Sequence, residues 1–186
     1  MEPSGREDVV DLIMHDHREV QDLFRQVQAV PFADPRRRTL ADQIIVELVR
    51  HSVAEEMYVY PAMRAHLAGG DALADHEIAE HARAEEILAQ LEGLEPAHPK
   101  FDELMAQLIA EINHHIAEEE NESLPALRSA VSNDTMVSLG EKFRSAKKRA
   151  PTRPHPKAPD TPPGDKIVGP PLGLIDRVRD AMSRKR

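Results

Sequence analysis

Residues 51–61, His-Ser-Val-Ala-Glu-Glu-Met-Tyr-Val-Tyr-Pro, and residues 115–125, His-Ile-Ala-Glu-Glu-Glu-Asn-Glu-Ser-Leu-Pro, share the pattern H-x3-E-E-x4-P. The offset is 64 residues, and it also carries His17 onto His81. Each copy therefore supplies a His and, thirty-four residues later, a His-x3-Glu. Residues i and i+4 share one face of a helix. His51 with Glu55, and His115 with Glu119, can each look into one cavity.

The surrounding apolar residues fall at helical spacing. Val10, Ile13, His17, Val20, Phe24 and Val27 form one face, and Ser4-x-x-Glu7 before them reads as a capping box. Asp34-Pro35 reads as an N-cap followed by the first helical residue. A second helix carries Ala41, Ile44, Leu48, His51, Glu55 and Tyr58 on its seam, is kinked or ended at Pro61, and is closed by Gly69-Gly70. A third runs from about Asp71 to Leu91, with Glu77 and His81 on its seam and Gly93 beyond it. A fourth begins after Pro99 and carries Met105, Leu108, Ile112, His115, Glu119 and Glu122 until Pro125. Four helices with short connections predict an all-α, up-down-up-down four-helix bundle over residues 6–130. An additional short helix is predicted over 131–148. A basic Pro-rich tail follows over 149–186, read as an extended linker with an amphipathic segment from Leu172 to Arg186.

The chain of 186 residues has no Cys, which excludes disulfides, thiolate metal sites and Cys nucleophiles. No apolar run is long enough for a transmembrane span, and the first residues lack the basic and apolar regions of a signal peptide. The expected location is the cytoplasm. The net charge of −9 is uneven: residues 144–186 hold twelve Lys/Arg against four Asp/Glu. An acidic body argues against specific nucleic-acid binding, while the basic tail is suited to an acidic partner. No phosphate loop, nucleotide fingerprint or Ser-His-Asp set is evident.

All six repeated residues occupy core positions. Burying carboxylates and imidazoles costs several kcal/mol, on the order of 2–7 per unpaired polar group, unless partners compensate. A single seam His is ordinarily a hydrogen-bonded core residue, and a single Glu a solvated helix end. Six matched positions point instead to two transition-metal ions. Imidazole with carboxylate suits iron, manganese or zinc rather than calcium. His15, His76 and His114 have no partners in the other copy, since the offset pairs them with Ala79, Leu12 and Arg50. Of these His76 is the most ambiguous. Glu77, Tyr58 and Glu122 are further seam candidates, as extra ligands, partners of ligands or residues at the cavity mouth. Glu56 and Glu120, five residues after each His, are expected on the solvated face.

The pattern His17, His51-x3-Glu55, His81, His115-x3-Glu119 resembles the hemerythrin-like, or HHE cation-binding, family over about residues 8–130. The resemblance implies a four-helix bundle with a non-haem di-iron centre. In it His17 and His51 would serve one iron and His81 and His115 the other, with Glu55, Glu119 and an oxo or hydroxo group bridging them. Oxygen-carrying members have His-x3-His on the third helix, and Glu77 stands where the first of those would be. A carboxylate there favours ferric iron and disfavours reversible oxygen carriage. The resemblance thus implies reaction with peroxide or O2, including catalase-like decomposition of H2O2 in oxidative-stress defence. The alternative it allows is non-catalytic sensing, storage or binding of O2, NO or iron.

Overall fold

The computed structural model describes residues 7–156. Among these the chain is all helix, with no strand. Helix α1 spans Val9–Ala29 and α2 spans Arg36–Ala54. A π-helical turn, Glu55–Val59, joins α2 without a break to α3, Tyr60–His66. Helix α4 is Gly70–Leu91 and α5 is Pro99–Glu118. A second π-helical turn, Glu119–Ser123, leads into α6, Leu124–Ala130. Helix α7, Asn133–Arg149, follows. The two turns make single rods of α2–α3 and α5–α6, so the architecture is a four-helix bundle with a fifth helix laid against α1 and α2.

The expected starts and stops need three corrections. Helix α1 begins at an Asp8 cap, whose side chain accepts from the Asp11 backbone N–H at 3.0 Å; Ser4 lies outside the described residues. Pro61 and Pro125 do not end their helices. A proline has no N–H to return to the preceding turn, and its ring crowds the carbonyl four residues back. The wider turn before each proline absorbs both problems: the Tyr60 N–H bonds to Glu55 O, and the Leu124 N–H to Glu119 O. Finally, the start of the expected linker is packed. Thr152 is buried, Arg153 lies 3.3 Å from Glu92, and the His155 backbone N–H donates to Glu85 at 2.7 Å. The amphipathic segment from Leu172 lies outside the described residues.

The turn between α3 and α4 depends on two glycines for different reasons. Gly69 has φ +76°, a left-handed conformation. A Cβ on Gly70 would stand 2.1 Å from the Met63 carbonyl oxygen, so no side chain fits.

Two apolar clusters fill the bundle. One includes Val20, Phe24, Ile44, Leu48, Leu88, Leu108 and Ile112. The other includes Val9, Ile13, Tyr60, Met63, Leu124, Leu127 and Phe143. Along α1, Ile13 belongs to one cluster and Val20 to the other, and His17 lies between them. The repeated His and Glu residues form a polar layer across the bundle, sealed above and below by apolar side chains.

Candidate metal centre

The polar layer brings together all six repeated residues. His17, His51, Glu55, His81, His115 and Glu119 are each at most 6% exposed. Their ligand atoms fall into close groups: His17, His51, Glu55 and Glu119; then Glu55, His81 and His115; then Glu77, His115 and Glu119. Glu55 and Glu119 each belong to two groups, as carboxylates between two positions must. His51 Nε2 lies 3.1 Å from Glu55 Oε2, and His17 Nε2 3.3 Å from Glu119 Oε2. On the other side His81 Nε2 is 3.5 Å from Glu55 and His115 Nε2 3.6 Å from Glu119.

Each imidazole turns its other nitrogen to a carboxylate outside the layer. His17 Nδ1 donates to Glu120 and His81 Nδ1 to Glu56, both at 2.8 Å. His51 Nδ1 donates to Asp16 at 3.1 Å and His115 Nδ1 to Glu80 at 2.9 Å. A proton fixed on Nδ1 leaves the Nε2 lone pair facing inward, which is how a carboxylate prepares a histidine for a metal ion. These outer carboxylates obey the repeat as well: Asp16 maps onto Glu80 and Glu56 onto Glu120. The signal was visible as Asp-His against Glu-His, and as the second Glu of each Glu-Glu pair. Regular helical spacing puts Glu56 and Glu120 on the solvated face, and the structure corrects this. Glu56 is buried and Glu120 half-buried, each reaching a His from the other copy.

The further seam candidates separate. Glu77 is 1% exposed and its Oε2 lies 3.1 Å from His115 Nδ1. Burial, before any other influence, pushes its carboxyl up. Tyr58 is half-buried against the apolar cluster, and the tyrosine in the layer is Tyr60. Its hydroxyl donates to Glu119 at 3.1 Å and stands 3.0 Å from His81 Nε2 and 3.4 Å from Glu55. The π-helical turn explains the substitution, because its wider pitch brings the fifth residue after Glu55 back over the layer. Glu122 and His76 are both exposed and stand outside the layer.

The electrostatics show what the layer fits. Burial alone would depress the pKa of His51, but Glu55 and Asp16 outweigh it and push it up to about 10. Burial is likewise overcome at His115 by Glu119, Glu77 and Glu80, which raise it. His81 moves down, first by burial and then by the charge on His115. The Glu119 carboxyl is held well below its usual range, since His115, His17 and His51 overcome its burial. Burial, with Glu119 and Glu55, pushes the Tyr60 phenol up and keeps it a donor. The layer therefore demands cations. Yet His17 Nε2, His51 Nε2, Glu55 Oε1 and Glu119 Oε2 are buried without a well-formed hydrogen bond. His81 Nε2 and His115 Nε2 approach to 3.2 Å. Inward lone pairs and carboxylate oxygens left without donors are a donor set that a pair of metal ions satisfies.

Residues 8–127 match the Hemerythrin HHE cation binding domain. The chain belongs to the hemerythrin HHE family. A hemerythrin-like protein of Schizosaccharomyces pombe is 30% identical over 95% of this chain and 87% of its own length. A DNA nickase of Nostoc is 28% identical over 76% of this chain, which spans 39% of that protein. The crystal structure of a hemerythrin HHE cation binding domain-containing protein from Mycobacterium kansasii shares the fold. It has a TM-score of 0.67 at 22% identity, over 76% of this chain and 86% of that one. No helix among the described residues is long and apolar enough to cross a membrane.

Proposed function

We propose that this hemerythrin-like protein holds two iron ions in the polar layer and binds O2 or NO there, as a non-catalytic sensor or as an iron-storage protein. The observation that supports it most is the set of buried nitrogen and oxygen atoms that face one another without hydrogen-bond donors. His17 and His51 would hold one ion, His81 and His115 the other, with Glu55 and Glu119 between them. Bound iron would supply reversible one-electron chemistry and open coordination positions. The chain supplies enclosure and orientation. A narrow cleft with only about 20 Å³ of free space, bordered by Asp16, His17, Val20, His51 and Lys147, reaches the layer from the α1–α2 side. Its small size selects diatomic or peroxide-sized ligands over organic substrates. Manganese or zinc would fit the same donors.

A second reading, decomposition of peroxide, is favoured by Tyr60 and Glu77. The Tyr60 hydroxyl is a proton donor inside the layer, and Glu77 brings a carboxyl held toward its protonated form. Together they offer proton relays that simple ligand binding does not need. The activity named for the Nostoc relative is not carried over, since this chain spans less than half of that protein and its body is acidic.

Metal analysis of the full chain, with absorption spectra under O2, NO and peroxide, tests both readings. Two irons per chain and spectral changes that reverse on removal of O2 or NO support the first. Oxygen evolved from peroxide, above that from free iron, moves the assignment to the second. Metal content unaffected by joint substitution of His51 and Glu119 sinks both.

A further inference from the structure

A second group of side chains repeats the donor chemistry of the layer at the surface. His76 and Glu80 on α4 and Glu118 on α5 each offer one ligand atom, all within 4.8 Å of one another. His76 Nε2 is 3.2 Å from Glu118 Oε2 and 3.8 Å from Glu80 Oε1. His114, one turn before Glu118, places its Nε2 3.5 Å from Glu118 Oε1. The Glu118 carboxylate thus lies between two exposed imidazoles.

This group adjoins the inner layer residue by residue. His76 precedes Glu77, and Glu118 precedes Glu119. Glu80 belongs to both: Oε2 accepts from His115 Nδ1, while Oε1 faces His76 and accepts from Arg83 at 3.1 Å. The next ligand oxygen inward is Glu77 Oε2, which is buried and lies 3.1 Å from the same His115 Nδ1. Nitrogen and oxygen ligands therefore run without interruption from solvent to His115 and Glu119.

The internal repeat supplies a control. The counterparts of His76, Glu118 and His114 are Leu12, Ala54 and Arg50. Leu12 and Ala54 are buried in the apolar cluster that α7 helps to form. Only Glu80 has an acidic counterpart, Asp16, and Lys147 of α7 covers it at 2.6 Å. The inner layer is duplicated; among the described residues the outer group exists on one face alone.

We propose that His76, Glu80 and Glu118 form an entry site that captures a divalent transition-metal ion from solvent and passes it through Glu80 and Glu77 to the inner layer. One imidazole and two carboxylates, completed by water, suit Fe2+, Mn2+, Co2+ or Zn2+. The partial exposure of His76 and Glu118 keeps binding weak and exchange fast, as an entry site requires. Arg83 is half exposed and can swing off Glu80 as the ion arrives. The passage rests on the inner layer being a metal centre, whereas the outer site itself does not.

The test uses Co2+ with the full-length chain. In the first arm, uptake by metal-stripped protein is followed by visible absorption at limiting Co2+. His76→Ala with Glu118→Ala should slow loading by about ten-fold, the scale of electrostatic focusing, without changing the final content. Equal rates would overturn the entry role. In the second arm, Glu55→Ala with Glu119→Ala takes a carboxylate from every inner group and disables the layer. That protein should still bind one Co2+ weakly by calorimetry, and lose it when His76→Ala is added. No such ion would show a surface hydrogen-bonded pair only, and would overturn the site. If the wild type holds no ion in the inner layer while the outer one binds, the proposed function and the passage both fall. If the inner pair loads normally in every outer variant, only this inference falls.

Discussion

The two halves of the polar layer have the same residues and different surroundings. His17 and His51 sit under α7: Phe143 packs edge-on to His51 at 5.8 Å between ring centres, and Lys147 pairs with the Asp16 that holds His51. Among the described residues no fifth helix lies over His81 and His115. They meet Tyr60 and Glu77 inside, and the half-exposed ladder of Glu80, His76 and Glu118 outside. The repeat builds a symmetrical holder, and residues outside the repeat make its two positions unequal.

The largest effect is expected at the two carboxylates shared between halves. Glu119→Gln removes the charge that balances His17 and His115, and Glu55→Gln removes the one between His51 and His81. Each should reduce bound metal from a pair to at most one ion per chain by metal analysis. Retention of a full pair by either variant would break the idea of a shared carboxylate. Removing the metal from wild type should be nearly as costly. At free metal about 100 times the dissociation constant, binding stabilises the folded chain by about 2.7 kcal/mol. Denaturant titration with and without a chelator reads this directly. Coincident midpoints would mean that the buried lone pairs are satisfied in some other way.

Asp16→Asn and Glu80→Gln compare the halves one histidine at a time. Removing the carboxylate behind a metal-ligating His typically costs about 10–100-fold in metal affinity. Each variant should weaken one ion of the pair and spare the other. Asp16→Asn should also loosen α7, because Asp16 holds Lys147 as well as His51. Lys147→Ala isolates that second role, and a loss of about 1 kcal/mol is expected from a single partly buried pair. Thermal melts, with metal content as a control, separate docking of α7 from ligand loss. If Lys147→Ala leaves both unchanged, α7 is only a cover.

The sequence made the holder legible because duplication leaves a countable signature: the same types at the same offset, all on apolar seams. The carboxylates on the outer nitrogens carried that signature too, in Asp16 with Glu80 and Glu56 with Glu120. Glu56 and Glu120 were hidden for a geometric reason. Extrapolating an ideal helix through Glu55 and Glu119 turns the next residue to solvent, whereas the π-helical turn before each proline turns it toward the other copy. The same widened turn exchanged Tyr58 for Tyr60. What regular spacing could not supply was the direction of side chains where the backbone departs from it. The packing of Thr152 onto the bundle was illegible for another reason. A Pro- and Arg-rich stretch carries no periodicity, and its anchors, Glu85 and Glu92, lie far away in sequence.

Tyr60 offers the finest test of the inequality, because it touches the layer without belonging to the repeat; its counterpart is Leu124. Tyr60→Phe keeps the buried ring and deletes one hydroxyl. The net cost of such a hydrogen bond is about 1 kcal/mol, so the fold and the metal pair should both survive. The deleted donor stood 3.0 Å from His81 Nε2 and 3.1 Å from Glu119. Its loss should therefore change the absorption spectrum of the metal-loaded protein and its response to peroxide, leaving the affinity for either ion nearly unaltered. An unchanged spectrum with the same small loss of stability would assign Tyr60 to packing alone. The asymmetry would then rest on Glu77 and on the cover provided by α7.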